Sequence, residues 1–95
     1  MPRAAIHPGE ILADELAGLG VSAAGLARQI NVPANRVSRI LRGQRAITGD
    51  TALRLARYFG TTPEFWLNMQ RDYELETAAE ALGCRLDMEV KPRAA

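Results

Sequence analysis

The segment SAAGLARQINVPANRVSRILRG, residues 22–43, contains two short helical patterns joined by INVP. In the first pattern, Ser22 is a favourable N-cap and Asn31 tolerates the left-handed conformation that can end a helix. The second pattern begins near Pro33 and stops at Gly43. Apolar residues recur at helical spacing on one side of each pattern, at Leu26, Ala27 and Ile30, and then at Val37, Ile40 and Leu41. The segment therefore predicts two short amphipathic helices joined by a tight turn.

The outward side of the second helix is polar and basic, and it carries Asn35 and Arg39 in its early turns. Two short helices joined in this way have the proportions of a helix-turn-helix, whose second helix can enter the major groove of DNA. Asparagine pairs with adenine edges and arginine with guanine edges, so we expect these two side chains to read bases. Side chains that drift around and past the helix end are expected to meet phosphates, namely Arg36, Arg42, Gln44 and Arg45. A solvated helix face is the alternative interpretation of the arginines, and the helix-turn-helix spacing argues against it.

Positive charge is concentrated in the middle of the chain, although the formal net charge is only +1. Residues 28–57 hold seven arginines and one acid, Asp50, which gives a net charge of +6. Residues 1–27 hold one base and three acids, and residues 58–95 hold four bases and seven acids. A basic middle between acidic flanks is typical of a polyanion-binding surface.

Helix-start and helix-stop residues divide the rest of the chain into three further helices. The first is expected from about residue 8 to Leu19 after a cap at His7, the fourth between Thr48 and Gly60, and the fifth from Thr62 to about Leu82. Helical spacing assigns inward positions in the first and fourth helices to Ile11, Leu12, Leu16, Leu19, Leu53, Leu55, Ala56 and Phe59.

Beyond Gly83, apolar residues alternate with charged ones as far as Pro92. This two-residue period predicts a short strand or an extended tail. We therefore expect an all-α, five-helix domain over residues 1–83, followed by an extended or strand-like tail over residues 84–95.

Composition argues against several other classes of protein. One cysteine, Cys84, cannot form an internal disulfide or a multi-thiolate zinc site, and one histidine, His7, has no catalytic partner at motif spacing. We expect no cofactor, no metal and no enzymatic activity. The chain also lacks both an apolar run long enough to span a bilayer and an export signal, so we expect a cytoplasmic protein without membrane contact.

The stretches IHPGEIL, VPANRVSRILRGQRAITGDTALRLARYFGTTPEFWLNMQ and YELE resemble the HigA family of antitoxins, within the Xre/Cro group of helix-turn-helix regulators. The resemblance covers about residues 6–76. It implies a lambda-repressor-like domain that dimerises on a palindromic operator, represses its own toxin-antitoxin operon and neutralises a HigB-like toxin, a ribosome-dependent messenger RNA ribonuclease. Alignment with the Xre motif implies base-reading positions at Ala34, Asn35, Ser38 and Arg39, where Ala34 can at most touch a thymine methyl.

The fifth helix and the tail are the expected contact surfaces for a second copy and for a toxin. Trp66 shares a stripe with Met69 and Tyr73, which favours packing or dimerisation over base stacking. Exposed acids could face a basic toxin or simply provide solubilising charge, and they are Glu74, Glu76, Glu80, Asp87 and Glu89.

Two other functions remain open at this point. The chain could be a stand-alone Xre-family transcriptional regulator with no toxin, or a protein-interaction module that no longer binds DNA. Asn35 and Arg39 argue against the second alternative, because a module without DNA contacts does not need a basic groove-facing surface. The sequence does not distinguish an antitoxin from a stand-alone regulator.

Overall fold

The computed structural model describes residues 5–94, and this range contains six α-helices. They are α1 (Pro8–Leu19), α2 (Ala23–Ile30), α3 (Ala34–Leu41), α4 (Gly49–Phe59), α5 (Pro63–Leu82) and α6 (Arg85–Glu89). The all-α fold and the five predicted helices are confirmed. The side chains of His7, Ser22 and Thr62 cap α1, α2 and α5, whereas Thr48 stands at the N-cap position of α4 without a side-chain hydrogen bond. Residues 1–4 of the predicted domain and residue 95 of the predicted tail lie outside the described residues.

Helices α1 to α5 enclose one apolar core. Its largest fully buried side chains come from all five helices and are Leu12, Leu26, Val37, Ile40, Leu55 and Trp66. The indole of Trp66 is 1% exposed, and its Nε1–H donates to Thr61 Oγ1 at 2.9 Å. This confirms the packing role predicted for the tryptophan, because a buried indole that donates its N–H is satisfied within the core.

Two leucines that helical spacing assigned to the core are exposed. Leu19 is the last residue of α1, and Leu53 is displaced from the buried stripe of α4, which runs through Ala52, Leu55 and Ala56. The width of a buried stripe depends on which helices cover it, so periodicity alone overestimated the inward side.

Asn31 makes the connection between α2 and α3 a sharp turn. Its φ of 59° is left-handed, which turns the chain out of the helix at one residue. The next N–H, of Val32, donates to the carbonyl of Ala27 at 3.0 Å, and the Val32 side chain packs against the core. The turn therefore satisfies the last carbonyls of α2 and fixes the direction in which α3 departs.

A close backbone approach joins α1 to α3. A Cβ built on Gly9 would overlap the carbonyl oxygen of Ile40, so glycine is the residue that permits this contact. Gly43 then ends α3 with a φ of 72°, while its N–H donates to Ile40 and that of Gln44 to Arg39, at 3.0 and 2.8 Å.

The tail corrects the sequence prediction. Residues Arg85–Glu89 form helix α6, not a strand, and only residues 90–94 lack regular secondary structure. The N–H groups of Met88 and Val90 donate to the carbonyls of Cys84 and Leu86, and Arg85 pairs with Glu89 at 3.0 Å. Because the described residues contain no strand beside which this segment could pair, local helical hydrogen bonds satisfy its backbone.

Helix α5 extends beyond the core. Its first half packs against α4 and α1, whereas every residue from 74 to 81 is exposed. The molecule is accordingly elongated, with principal extents of 51 × 29 × 21 Å. Within residues 5–94, no helix has the length and hydropathy needed to cross a membrane.

Candidate nucleic-acid interface

The exposed side of α3 carries the polar residues singled out from the sequence. Asn35, Arg39 and Arg42 are exposed, whereas Val37 and Ile40 are buried in the opposite direction. Positions 35, 39 and 42 are four and three residues apart, so they share one side of the helix. Ala34 is exposed at the start of that side, and Ser38 is half-buried within it. The four positions expected to read bases therefore lie together on or beside one accessible helix face.

Most of these side chains have donors that no protein group uses. Among residues 5–94, the side chains of Asn35, Arg39 and Arg45 make no hydrogen bond to the protein. Arg42 uses only Nε, which donates to the carbonyl of Ser38 at 3.3 Å. Ser38 Oγ donates to the carbonyl of Asn35 at the same distance. The face is thus rich in amide and guanidinium donors that face water, as a surface that binds acceptor-rich ligands requires.

The loop after α3 extends this donor surface. Gln44 and Arg45 are exposed, and Ile47 behind them is buried. The N–H of Ile47 donates to the side-chain Oε1 of Gln70 at 2.9 Å. Gln70, which no sequence pattern singled out, attaches the loop to α5 and so positions Gln44 and Arg45 relative to α3.

Arg36 differs from the other predicted phosphate-contacting residues. It lies at the flank of α3 next to α4, where its Nη1 donates to Asp50 Oδ2 at 2.7 Å. Its Nε is buried and has no partner among the described residues. Unlike the guanidinium of Arg39 or Arg45, this one therefore gives a donor to another side chain of the protein.

Arg54 completes an ion cluster with Asp50. Its Nε donates to both carboxylate oxygens of Asp50, at 3.1 and 3.2 Å, and its Nη1 donates to the carbonyl oxygens of Ile30 and Asn31 at 2.9 and 3.3 Å. Hydrogen bonds from Arg54 and Arg36 lower the pKa of Asp50 below its usual value, which keeps the carboxylate ionised. Arg54 thereby joins the end of α2 to α4, a role that no sequence pattern indicated.

His7 connects the start of α1 to the end of α3. Its Nδ1 accepts from the backbone N–H of Gly9 at 2.9 Å, and the backbone N–H of His7 donates to Glu10 Oε2 at 3.1 Å. The predicted cap is therefore confirmed as a reciprocal capping box. The imidazole is buried and lies beside Gly43. It packs in a T-shaped arrangement against Tyr73, with ring centroids 4.8 Å apart. Burial lowers the pKa of His7, opposed in part by the charge of Glu10 and the backbone of Arg45.

Within residues 5–94, no group of three or more histidine, cysteine, aspartate or glutamate side chains could hold a metal ion. His7 is committed to its helix cap, and Cys84 is exposed near the end of the chain. What the arrangement provides is a helix face and an adjoining loop that present hydrogen-bond donors and positive charge.

Residues 12–66 match the helix-turn-helix family. The virulence-associated protein I of Dichelobacter nodosus is 53% identical over 77 residues, which cover 80% of this chain and 71% of that protein.

Two solved structures have the same fold over nearly their whole length. An addiction module antidote protein of the HigA family from Coxiella burnetii is 53% identical, with a TM-score of 0.91 over 96% of this chain and 100% of that one. The Pseudomonas aeruginosa antitoxin HigA, solved with the higBA promoter, is 47% identical, with a TM-score of 0.89 over 95% of this chain and 99% of that one. This similarity includes both α3 and the projecting half of α5.

Proposed function

Because this chain belongs to the HigA family of helix-turn-helix proteins, we propose that it is an antitoxin that binds operator DNA through the exposed face of α3. The observation that carries the proposal is the set of free donors at Asn35, Arg39 and Arg45. A solvated helix needs no such concentration of guanidinium groups, whereas an acceptor-rich duplex does. A protein of this family is a DNA-binding regulator and not an enzyme.

Asn35 and Arg39 read base edges in the major groove, with Ser38 and Ala34 beside them. A second group meets the phosphates on either side of the groove and consists of Arg42, Gln44 and Arg45. Arg36 differs from that group because its Nη1 already donates to Asp50. The P. aeruginosa relative solved with its promoter supports this function, since it has the same fold at 47% identity.

The protein acts as a homodimer. Apolar side chains on the projecting half of α5 and on the tail are exposed without cover in the described chain, namely Leu75, Leu86, Met88 and Val90. A second copy would cover them and would hold two α3 helices about 34 Å apart, which is one turn of DNA. Such a dimer represses its own operon by occupying a palindromic operator, and it works in the cytoplasm, where that DNA lies.

A small basic toxin of the HigB type, a messenger RNA ribonuclease, is the second partner. The exposed acids predicted to face it, Glu74, Glu76, Glu80, Asp87 and Glu89, lie on α5 and α6. Glu76 also lines a groove of about 210 Å³ beside α1 and α5, which adds Asp72 and places both acids next to Ile6, Ile11, Met69 and the ring of Tyr73. A carboxylate beside an apolar floor fits a lysine or arginine side chain, which has an apolar stem and a charged head.

Copurification tests the antitoxin assignment. The chain is expressed with the neighbouring gene of its operon, and the complex is sized with and without a duplex taken from the promoter upstream. We expect a dimer that binds this duplex in preference to a scrambled duplex and that retains a small basic protein. Preferential DNA binding without any retained protein would favour the stand-alone regulator, and absence of DNA binding would favour the interaction module.

A further inference from the structure

We infer that Asp50 limits the sequence-independent part of DNA binding, because it holds Arg36 on the protein and so withholds one cation from the phosphates of any duplex. The inference rests on the proposed DNA-binding function. It assigns Arg36 to the protein framework instead of to a phosphate.

The ion cluster has the geometry that such a restraint requires. Asp50 is the acid of the basic segment 28–57, and it accepts from two arginines at once. The pair with Arg36 is the shorter, at 2.7 Å, and Arg36 is only 24% exposed. The guanidinium of Arg36 is thus paired with a carboxylate on the neighbouring helix, which it shares with Arg54.

Arg54 keeps the carboxylate in place. Its Nη1 is bound to the carbonyl oxygens at the end of α2, so Nε is directed to Asp50 from a fixed position. Asp50 is therefore oriented by a group that is itself held by the helix-turn-helix connection. The position of the Asp50 carboxylate, and with it the pair with Arg36, therefore depends on the fold of the motif.

A free Arg36 would strengthen DNA binding without improving selectivity. A phosphate contact attracts every DNA sequence equally, whereas Asn35 and Arg39 can distinguish bases. Each phosphate neutralised makes the slope of log K against log salt steeper by about 0.9. By pairing with Arg36, Asp50 lowers the affinity for all sequences. Base contacts then contribute a larger share of the total binding free energy.

The test compares Asp50→Asn with the parent on two duplexes, the promoter duplex and a scrambled duplex of equal length and composition. Fluorescence anisotropy is measured between 50 and 200 mM salt, after circular dichroism has verified that each variant is folded. We expect Asp50→Asn to steepen the salt slope by about 0.9 on both duplexes, so that affinity falls about three- to fourfold more than for the parent across this range. The ratio of the affinities for the promoter and scrambled duplexes should stay that of the parent, because a phosphate contact strengthens both equally.

Two further variants distinguish the loss of the Asp50–Arg36 pair from a general change in net charge. Asp14→Asn makes the same charge change at an exposed position of α1 that pairs with no cation within residues 5–94, and it should leave the slope unchanged. Arg36→Met should also leave the slope near that of the parent, and it should abolish the effect of Asp50→Asn in the double variant.

Three results would overturn the inference. They are an unchanged slope in a folded Asp50→Asn, a slope reduced by one phosphate in Arg36→Met, and an equal effect of Asp50→Asn with Arg36 absent. If the parent prefers its promoter duplex in such a case, the proposed function stands and only the role of Asp50 falls. A parent that binds no DNA would overturn both.

Discussion

Gln70 on α5 accepts a hydrogen bond at 2.9 Å from the backbone N–H of Ile47, in the loop that follows α3. Both residues are buried, with 5% and 2% of their surfaces exposed. This bond connects the long helix proposed for dimerisation with the loop that presents Gln44 and Arg45. The position of the loop is therefore set by a residue 23 positions away in the sequence.

Replacing this acceptor should destabilise the fold. Gln70→Leu roughly preserves the side-chain volume but leaves the N–H of Ile47 without a partner. An unsatisfied buried donor costs about 1–3 kcal/mol. Urea unfolding followed by circular dichroism measures the loss. Asn68→Leu, exposed on the same helix, should change stability by no more than about 0.5 kcal/mol. Equal stability of Gln70→Leu and the parent would show that this bond does not hold the loop.

Two glycines of α1 should respond in opposite directions to alanine. Gly9→Ala would force the Ile40 carbonyl away, and overpacking of this kind costs about 1–3 kcal/mol. Gly18 has open space around a Cβ and lies within the helix, so Gly18→Ala should stabilise the fold by about 0.5–1 kcal/mol. The same urea titration compares them. A stabilised Gly9→Ala variant would contradict the close contact of α1 with α3.

His7 predicts a pH dependence of stability. Burial keeps its pKa in the folded protein below the usual 6.5, so the unfolded chain takes up a proton first as the pH falls. The free energy of unfolding should therefore be unaffected by His7 above about pH 7, decrease below about 6.5, and level off once the folded pKa is passed.

The His7 contribution is isolated by comparing melting temperatures of the parent and His7→Asn from pH 8 to pH 5. Asparagine can still cap α1 but does not titrate in this range. The melting temperature of the parent should fall more steeply below pH 6.5 than that of the variant. Parallel curves would mean that the buried imidazole does not resist protonation.

Local signals explain what the sequence predicted well. Ser22, Thr62 and His7 cap helices through side-chain bonds that span two or three residues, so short patterns identified them. Asn31 adopts the left-handed conformation expected of it, and Asn35 and Arg39 are exposed because Val37 and Ile40 fix the inward side of α3. The functional roles of the exposed residues remain predictions.

Long-range contacts explain what the sequence did not predict. Gln70, Arg54 and Asp50 acquire their roles from partners 23, 24 and 14 positions away, and no local pattern marks such pairs. Arg36 shows the consequence, since composition counted it as a free cation and the fold pairs it with Asp50. The strand predicted beyond Gly83 was wrong for a different reason. Alternating apolar residues indicate a strand only where another strand can pair with it, and residues 85–89 form a helix instead.

The central claim, that α3 reads bases through its exposed face, is tested most directly by titrating Arg39→Ala against the promoter duplex and a set of variants with one base pair changed. We predict a loss of about 1–3 kcal/mol and relaxed selectivity at one base pair. Arg45→Ala should weaken binding to all duplexes similarly and flatten the salt slope by about one phosphate's contribution. An Arg39→Ala protein that binds as tightly and as selectively as the parent would contradict the assignment.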